Sequence, residues 1–397
     1  MERAVGDVSI GFVSTYPPTV CGLATYTESL LGAISVDRGG SSSLGVVDVG
    51  DDNRRVDPRR VVHRHLAGDA DSLDQAARVL NTYDTVSIQH EFGIFSGPDG
   101  DEVLDLIDSI IVPTAVTFHT VLDQPTRRQR AIMERLALAA DRLVVMSETG
   151  SGRLTRRYGI DPDRIRVIPH GANTLFSGPS LVSGDRPLVL TWGLIGPGKG
   201  LEMAIRAFGE LIDLEPAPRY VIAGATHPHV RENAGESYRQ SLIALAHDLG
   251  LGHIVEFDDR YLDGAALARL VRGADVVVLP YSSTEQVTSG VLSEAIAAGK
   301  PVIATRFPHA MELLTGGAGL TTPHGDAEAL ATAIRLVLTD HDARARMARE
   351  ARRLADGWFW PTIGRRFTDL MSEMAPERGR SVGTKTSPTP EVQRVAG

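Results

Sequence analysis

The chain has 397 residues, 42% of them apolar, which is enough for two ordinary domain cores. Its 41 Lys and Arg against 50 Asp and Glu give a net charge of −9, which argues against nucleic acid as a partner, since binding a phosphate backbone needs a basic surface. The single cysteine, Cys21, rules out an internal disulfide framework, and the sequence shows neither a signal peptide nor an apolar run able to span a bilayer, so a cytoplasmic protein with at most peripheral membrane contact is expected.

Residues 8–14 read as a first buried strand. It breaks into a shaped loop containing Pro17, Pro18 and Gly22, and a helix follows over 23–34. One glycine is not a dinucleotide fingerprint, which needs three at set spacing. A loop at the carboxyl end of a parallel strand is nevertheless expected to face a ligand cleft. Residues 44–49 form the next strand, followed by a polar loop to residue 60. Asp51-Asp52 within it reads as a solvated turn in preference to a metal site. A strand over 85–88 runs into His90-Glu91, and one over 114–118 into His119-Thr120. Two consecutive strands thus bring a histidine to the same sheet edge. Glu91 is open to two readings, a local cap or a cleft group. A strand over 142–146 leads to Ser147, which caps a helix ending near Tyr158. Residues 165–169 are extended. From Asn173 to Arg186 periodicity is lost and Gly, Pro and Ser collect, which marks a domain boundary.

The second half restarts the same rhythm. A strand over 188–192 enters the loop Gly193-Leu194-Ile195-Gly196-Pro197-Gly198-Lys199-Gly200, and a helix follows over 201–211. Lys199 precedes Gly200 and not Ser or Thr, so this is no P-loop, but a cation in a mobile loop at a helix start suits a phosphate. Strands over 220–224, 254–257, 276–279 and 302–304 complete a second sheet. Helices over 326–337, 341–355 and 361–373 close the ordered chain. Beyond Ala375 the composition is that of a disordered tail.

The stretch from Ala274 to Pro301 is the most informative. A β-branched run stops at Pro280, a polar loop follows, and a helix is expected to begin near Thr288. The N–H groups of Thr288, Ser289 and Gly290 would then be free for an anion. Glu294 lies further along the same helix, and helical side chains point back toward the helix start. A phosphate at the N-terminus and a sugar hydroxyl at Glu294 would belong to one nucleotide.

Two Rossmann-like halves joined by one linker place a cleft between two sheet edges. Four segments, 144–173, 193–200, 274–280 and 291–301, resemble in order and spacing the retaining group-one (family four) glycosyltransferases. The resemblance implies an α/β GT-B fold with two Rossmann-like domains facing a central cleft. It divides the chain into an acceptor-side domain over 1–177, a nucleotide-sugar domain over 178–357, a helix over 358–374 crossing back to the first domain, and a tail over 375–397. It also implies transfer of a hexose from a nucleotide-diphosphate sugar to a sugar, glycan or lipid-linked acceptor. No cofactor and no metal are expected. By the same resemblance Lys199 holds the donor diphosphate, Glu294 the ribose hydroxyls, and Gln286, with Glu285 beside it, the first position of a paired-glutamate motif. His119 stands beside the transferred sugar and Gly22 faces the donor phosphate. Thr288, Ser289 and Gly290 complete the donor side, and His90 and Glu91 are candidates on the acceptor side. Gln286 in place of Glu, Leu194 in place of a second cation and Asn173 in place of Asp depart from the pattern. The first two motivate an alternative, a non-catalytic nucleotide-sugar-binding protein derived from such a transferase. A glycoside hydrolase would need two facing carboxylates that the sequence does not place. A pyridoxal-phosphate phosphorylase would have only Lys199 and Lys300 to choose from.

Overall fold

The computed structural model describes residues 8–37, 43–50, 56–181 and 184–376. Asp51, Asp52 and the tail from residue 377 lie outside them, so the expectations for those residues are not addressed. Two all-parallel sheets are covered by helices. The first contains β1 (Ile10–Ser14), β2 (Leu44–Gly50), β3 (Val61–Leu66), β4 (Thr85–His90), β5 (Thr114–Phe118), β6 (Arg142–Val145) and β7 (Ile165–Val167), in the order β3-β2-β1-β4-β5-β6-β7. The second contains β8 (Leu188–Trp192), β9 (Arg219–Ala223), β10 (Val255–Asp258), β11 (Val276–Leu279), β12 (Val302–Thr305) and β13 (Gly319–Thr322), in the order β10-β9-β8-β11-β12-β13. This is the GT-B arrangement of two Rossmann-like domains. β1, β5, β8 and β11 are buried along their whole length, which is why they read as unbroken apolar or small-residue runs, and β4 is equally buried although it ends in Gln89 and His90.

Strand order reverses direction between β1 and β4 in the first sheet and between β8 and β11 in the second. Such switch points open a crevice beyond the carboxyl ends of the strands. The loops after β1, β4, β5, β8 and β11 all contribute to one cavity.

The last helix, Trp360–Met374, lies on the first domain. Ile363, Phe367, Leu370 and Met371 join its core, and Gly364 is close enough to the Ala33 backbone that a Cβ would stand 2.9 Å from it. The two chain crossings between domains run side by side. Ala172 N–H donates to Trp358 O at 2.9 Å, and Trp360 N–H returns to Ala172 O at 3.0 Å. Gly171 is needed there, because a Cβ would meet the Trp360 ring at 2.2 Å. Among the described residues no helix is long and apolar enough to cross a membrane.

Candidate active site

The cavity between the two switch points has a volume of about 710 Å³. Its second-domain wall is built from the loop after β8, the loop after β11 and the helix Gly290–Ala297. Gly200 fastens the first two together. It has φ +66°, and its ideal Cβ would lie 1.8 Å from Pro280 O, so no other residue fits. Ser282 N–H donates to Gly198 O at 2.9 Å across the same junction. Lys199 is thereby held with its Nζ 4.5 Å above the Tyr281 ring, a cation–π contact at the cavity wall.

The helix that ends this wall starts later than the sequence suggests. Ser289 is its N-cap, with Oγ accepting from Leu292 N–H at 3.2 Å. Ser289 N–H is not available to an anion, because it donates to His309 Nδ1 at 2.9 Å. Thr288 lies outside the helix and its carbonyl accepts from Gln286 Nε2 at 3.1 Å. Thr288, Ser289 and Gly290 all line the cavity, but the expected N–H set loses Ser289, and the helix's own first two N–H groups, which have no intrahelical acceptor, are those of Gly290 and Val291. A Cβ on Gly290 would come within 2.8 Å of His170 Nε2, so glycine lets this helix end meet the first domain.

Glu294 lies deep in the cavity and accepts from Trp192 Nε1 at 3.3 Å. Enclosure by protein pushes its carboxyl up to about 7. Gln286 and Leu194 also line the cavity. Arg260, a conceivable replacement for the missing second cation, is held bidentately by Asp258 at 2.8 and 2.7 Å.

Glu285 touches the cavity, and one oxygen of its carboxylate, Oε2, is engaged by the first domain. It pairs with Arg153 Nη1 at 2.8 Å and accepts from Asp123 N–H at 2.8 Å. A second carboxylate of the same domain, Glu312, receives the N–H groups of Glu148 and Thr149 at 2.9 and 2.8 Å, at the start of the helix Glu148–Tyr158. Both carboxylates thus grip one helix across the cleft.

The first-domain wall carries Gly22 at the start of the helix Gly22–Asp37, with Tyr26 one turn on. Cys21 Sγ accepts from Ala24 N–H at 3.3 Å, so the lone thiol serves as a cap. His119 Nε2–H donates to Gln89 Oε1 at 2.9 Å, because the Gln89 amide nitrogen is used on Ser87 and Thr117. Burial lowers the His119 imidazole to about 3, so it is neutral with a lone pair on Nδ1. Glu91 reaches the cavity and is held by Thr120 Oγ1 at 2.7 Å and Phe92 N–H at 3.0 Å. His90 does not reach it. The position before Glu91 points to the opposite face of its strand, and the His90 ring is fully buried between Phe92 and Phe118. Its acceptor-side role is withdrawn on that ground. Tyr26, His170, Trp192 and Trp360, which sequence reasoning did not select, also line the cavity. The Tyr26 ring packs on His119, His170 and Trp360 at 4.8, 5.2 and 5.3 Å. Among the described residues no three His, Cys, Asp or Glu side chains come close enough to share one ion.

A family profile described as Glycosyl transferases group 1 matches residues 175–354, and one described as Glycosyltransferase Family 4 matches residues 51–175. The chain belongs to the group-1, family-4 glycosyltransferases. A relative of this transferase, named D-inositol 3-phosphate glycosyltransferase, from Rhodococcus opacus (strain B4), is 30% identical over 312 residues, 68% of this chain and 67% of the relative. The chain spans 67%, 65% and 58% of the length of three such curated relatives. Among solved structures, sucrose-phosphate synthase from Thermosynechococcus elongatus superposes with a TM-score of 0.73 at 20% identity, over 92% of this chain and 98% of that one. Anabaena Alr3699/HepE in complex with UDP-glucose gives 0.70 at 18% identity, over 92% and 100%. These two likenesses concern the fold of the transferase.

Proposed function

We propose that this glycosyltransferase moves a hexose from a nucleotide-diphosphate sugar to a hydroxyl acceptor with retention at the anomeric carbon and without a divalent metal. One observation carries the reading. Lys199, the free N–H groups of Gly290 and Val291, and Glu294 line the same cavity wall, beyond a switch point. The diphosphate leaving group gains negative charge as the glycosidic bond breaks. Lys199 and the helix N-terminus are fixed positive groups that stabilise it without reorganising. Glu294, once ionised, accepts hydrogen bonds from the ribose hydroxyls. The neutral His119 offers Nδ1 as an acceptor to a hydroxyl of the transferred sugar, and Gln286, which lines the same cavity, binds that sugar in this reading. Sugar nucleotides are donors in this reading and no cofactor takes part.

The competing reading is a protein that binds a nucleotide sugar without turnover. It draws on Leu194, which puts a methyl-bearing side chain where a second cation would stand. Purified protein, screened with nucleotide sugars in excess chelator, separates the two. Transfer with the product anomer matching the donor supports the proposal. Donor binding with neither transfer nor donor hydrolysis supports the competitor, and activity restored only by magnesium or manganese removes the metal-independent step.

A further inference from the structure

We propose that the acceptor of this transferase is a polyhydroxy compound that carries no phosphate, unlike the inositol 3-phosphate in the names of its relatives; this rests on the transferase reading above. The first-domain wall of the cavity, opposite the donor side, presents Thr25, Tyr26, Ser29, Glu91, His119 and Thr120. With the Tyr26 hydroxyl turned into the protein, those offer three hydroxyls, one aromatic face, one carboxylate and one imidazole. The imidazole is neutral, because burial holds it at about 3. Among the described residues Lys199 is the one Lys or Arg side chain lining the cavity, and it stands on the other domain over Tyr281.

Phosphate recognition uses Arg, Lys or clustered N–H groups. The start of the Gly22–Asp37 helix supplies about half a positive charge, and Cys21 Sγ already takes its Ala24 N–H. Glu91 opposes a phosphate directly. Its two oxygens are anchored by Thr120 and Phe92, so it cannot swing away without losing both bonds. Burial raises the Glu91 carboxyl, while the bonds from Thr120 and Phe92 favour its ionised form; ionised, it faces a phosphate as a like charge, which costs several kcal/mol. Hydroxyls are suited to the same wall. The Glu91 oxygens have lone pairs left to accept from a sugar O–H. The Tyr26 hydroxyl is itself shut off from solvent and has no hydrogen-bond partner, so the hydroxyls open to a ligand on this wall are those of Thr25, Ser29 and Thr120.

The test uses matched acceptor pairs with the donor that binds: myo-inositol and inositol 3-phosphate, glucose and glucose 6-phosphate, glycerol and glycerol 3-phosphate. Donor affinity is measured separately by calorimetry. The unphosphorylated member of a pair is expected to show the higher kcat/KM by about tenfold or more. Glu91→Gln, which keeps the shape and removes the charge, is expected to lose most of that preference by improving use of the phosphate. Ser29→Ala is expected to raise KM for the unphosphorylated acceptor with nucleotide affinity unchanged, and it serves if Glu91→Gln fails to fold. A preference for the phosphorylated members overturns the proposal. So does transfer to the phosphorylated members alone, or an unchanged preference in Glu91→Gln. A protein that binds no nucleotide sugar at all refutes the transferase reading, which is a distinct result.

Discussion

Glu294 makes the most direct link between structure and binding. Its carboxyl is displaced from the ordinary 4.5 to about 7, chiefly by desolvation. That corresponds to roughly 3 kcal/mol against the ionised form, an upper figure because water reaches the group through the cleft. A ribose diol donates hydrogen bonds and therefore selects the ionised carboxylate. Nucleotide binding should then expel a proton below pH 7, with affinity rising up to about tenfold per pH unit toward 7 and levelling above it. Glu294→Gln should remove this dependence and cost about 1.5–3 kcal/mol of affinity at pH 8, the value of a hydrogen bond to a charged group. Stability moves the other way. The empty folded protein holds a proton that the unfolded chain releases above 4.5. Its stability should therefore fall as pH rises from 4.5 to 7, and Glu294→Gln should be the more stable protein at pH 8. Calorimetry of nucleoside diphosphates at pH 6, 7 and 8, in two buffers of different ionisation enthalpy, measures affinity and proton release together. A wild-type affinity independent of pH, or a glutamine variant that follows the wild type, refutes the assignment.

Lys199→Ala should lower turnover by about 2.7–4 kcal/mol or more in the barrier, with donor affinity less affected, because the charge it meets grows in the transition state; a fall in kcat below about threefold would show that the lysine is a wall residue only. Glu285→Ala leaves Arg153 without its carboxylate partner and should lower chemical-denaturation stability by about 1–3 kcal/mol, while Arg153→Ala with Glu285→Ala should lose less than the two single losses added. Gly200→Ala sets a Cβ 1.8 Å from Pro280 O in a left-handed conformation, so both stability and turnover should drop, and a thermal unfolding midpoint equal to wild type would contradict the close approach. Gln286→Glu, which installs the residue more usual in the resemblance, should reduce turnover, because a carboxylate cannot donate to Thr288 O; steady-state rates above wild type would count against that role for the amide.

The central strands were legible because helices cover both faces and every residue is buried. The edge strands β3 and β13 were not, although the edge strands β7 and β10 were. β3 is Val61-Val62-His63-Arg64-His65-Leu66, half of it charged or polar, and its neighbour across the sheet is present on one side only. β13 is four residues beginning with glycine. Lys199 and Glu294 stood out because local spacing carries their meaning. The engagement of Glu285 by Arg153 spans 132 positions, and nothing near either residue signals the other. The loss of Ser289 N–H to His309 is of the same kind, since it depends on where a later helix packs. His90 was misread for a simpler reason. Alternation along a strand sends neighbouring side chains to opposite faces, so His90 and Glu91 could not both reach the cleft by continuing β4.

Gln286 beside Glu285 is consistent with the contacts around them. Glu285 ties its loop to Arg153 and Asp123 of the first domain through Oε2. Gln286 folds its amide back on Thr288 O, and its own carbonyl accepts from His309 N–H at 3.2 Å, which is the helix that also receives Ser289 N–H. The segment 285–289 is thus fixed at both ends, by the first domain at one and by His309 at the other. Only then do the Gly290 and Val291 N–H groups come to rest beside the cavity with His170 against Gly290. A second carboxylate at 286 would lack the donor that holds Thr288 and would add a charge next to Glu285, whose single cation is already used. The departure from a paired glutamate therefore fits what the neighbouring residue does in this chain, and in the proposed reading it leaves the charged contacts to the donor with Lys199, the helix end and Glu294.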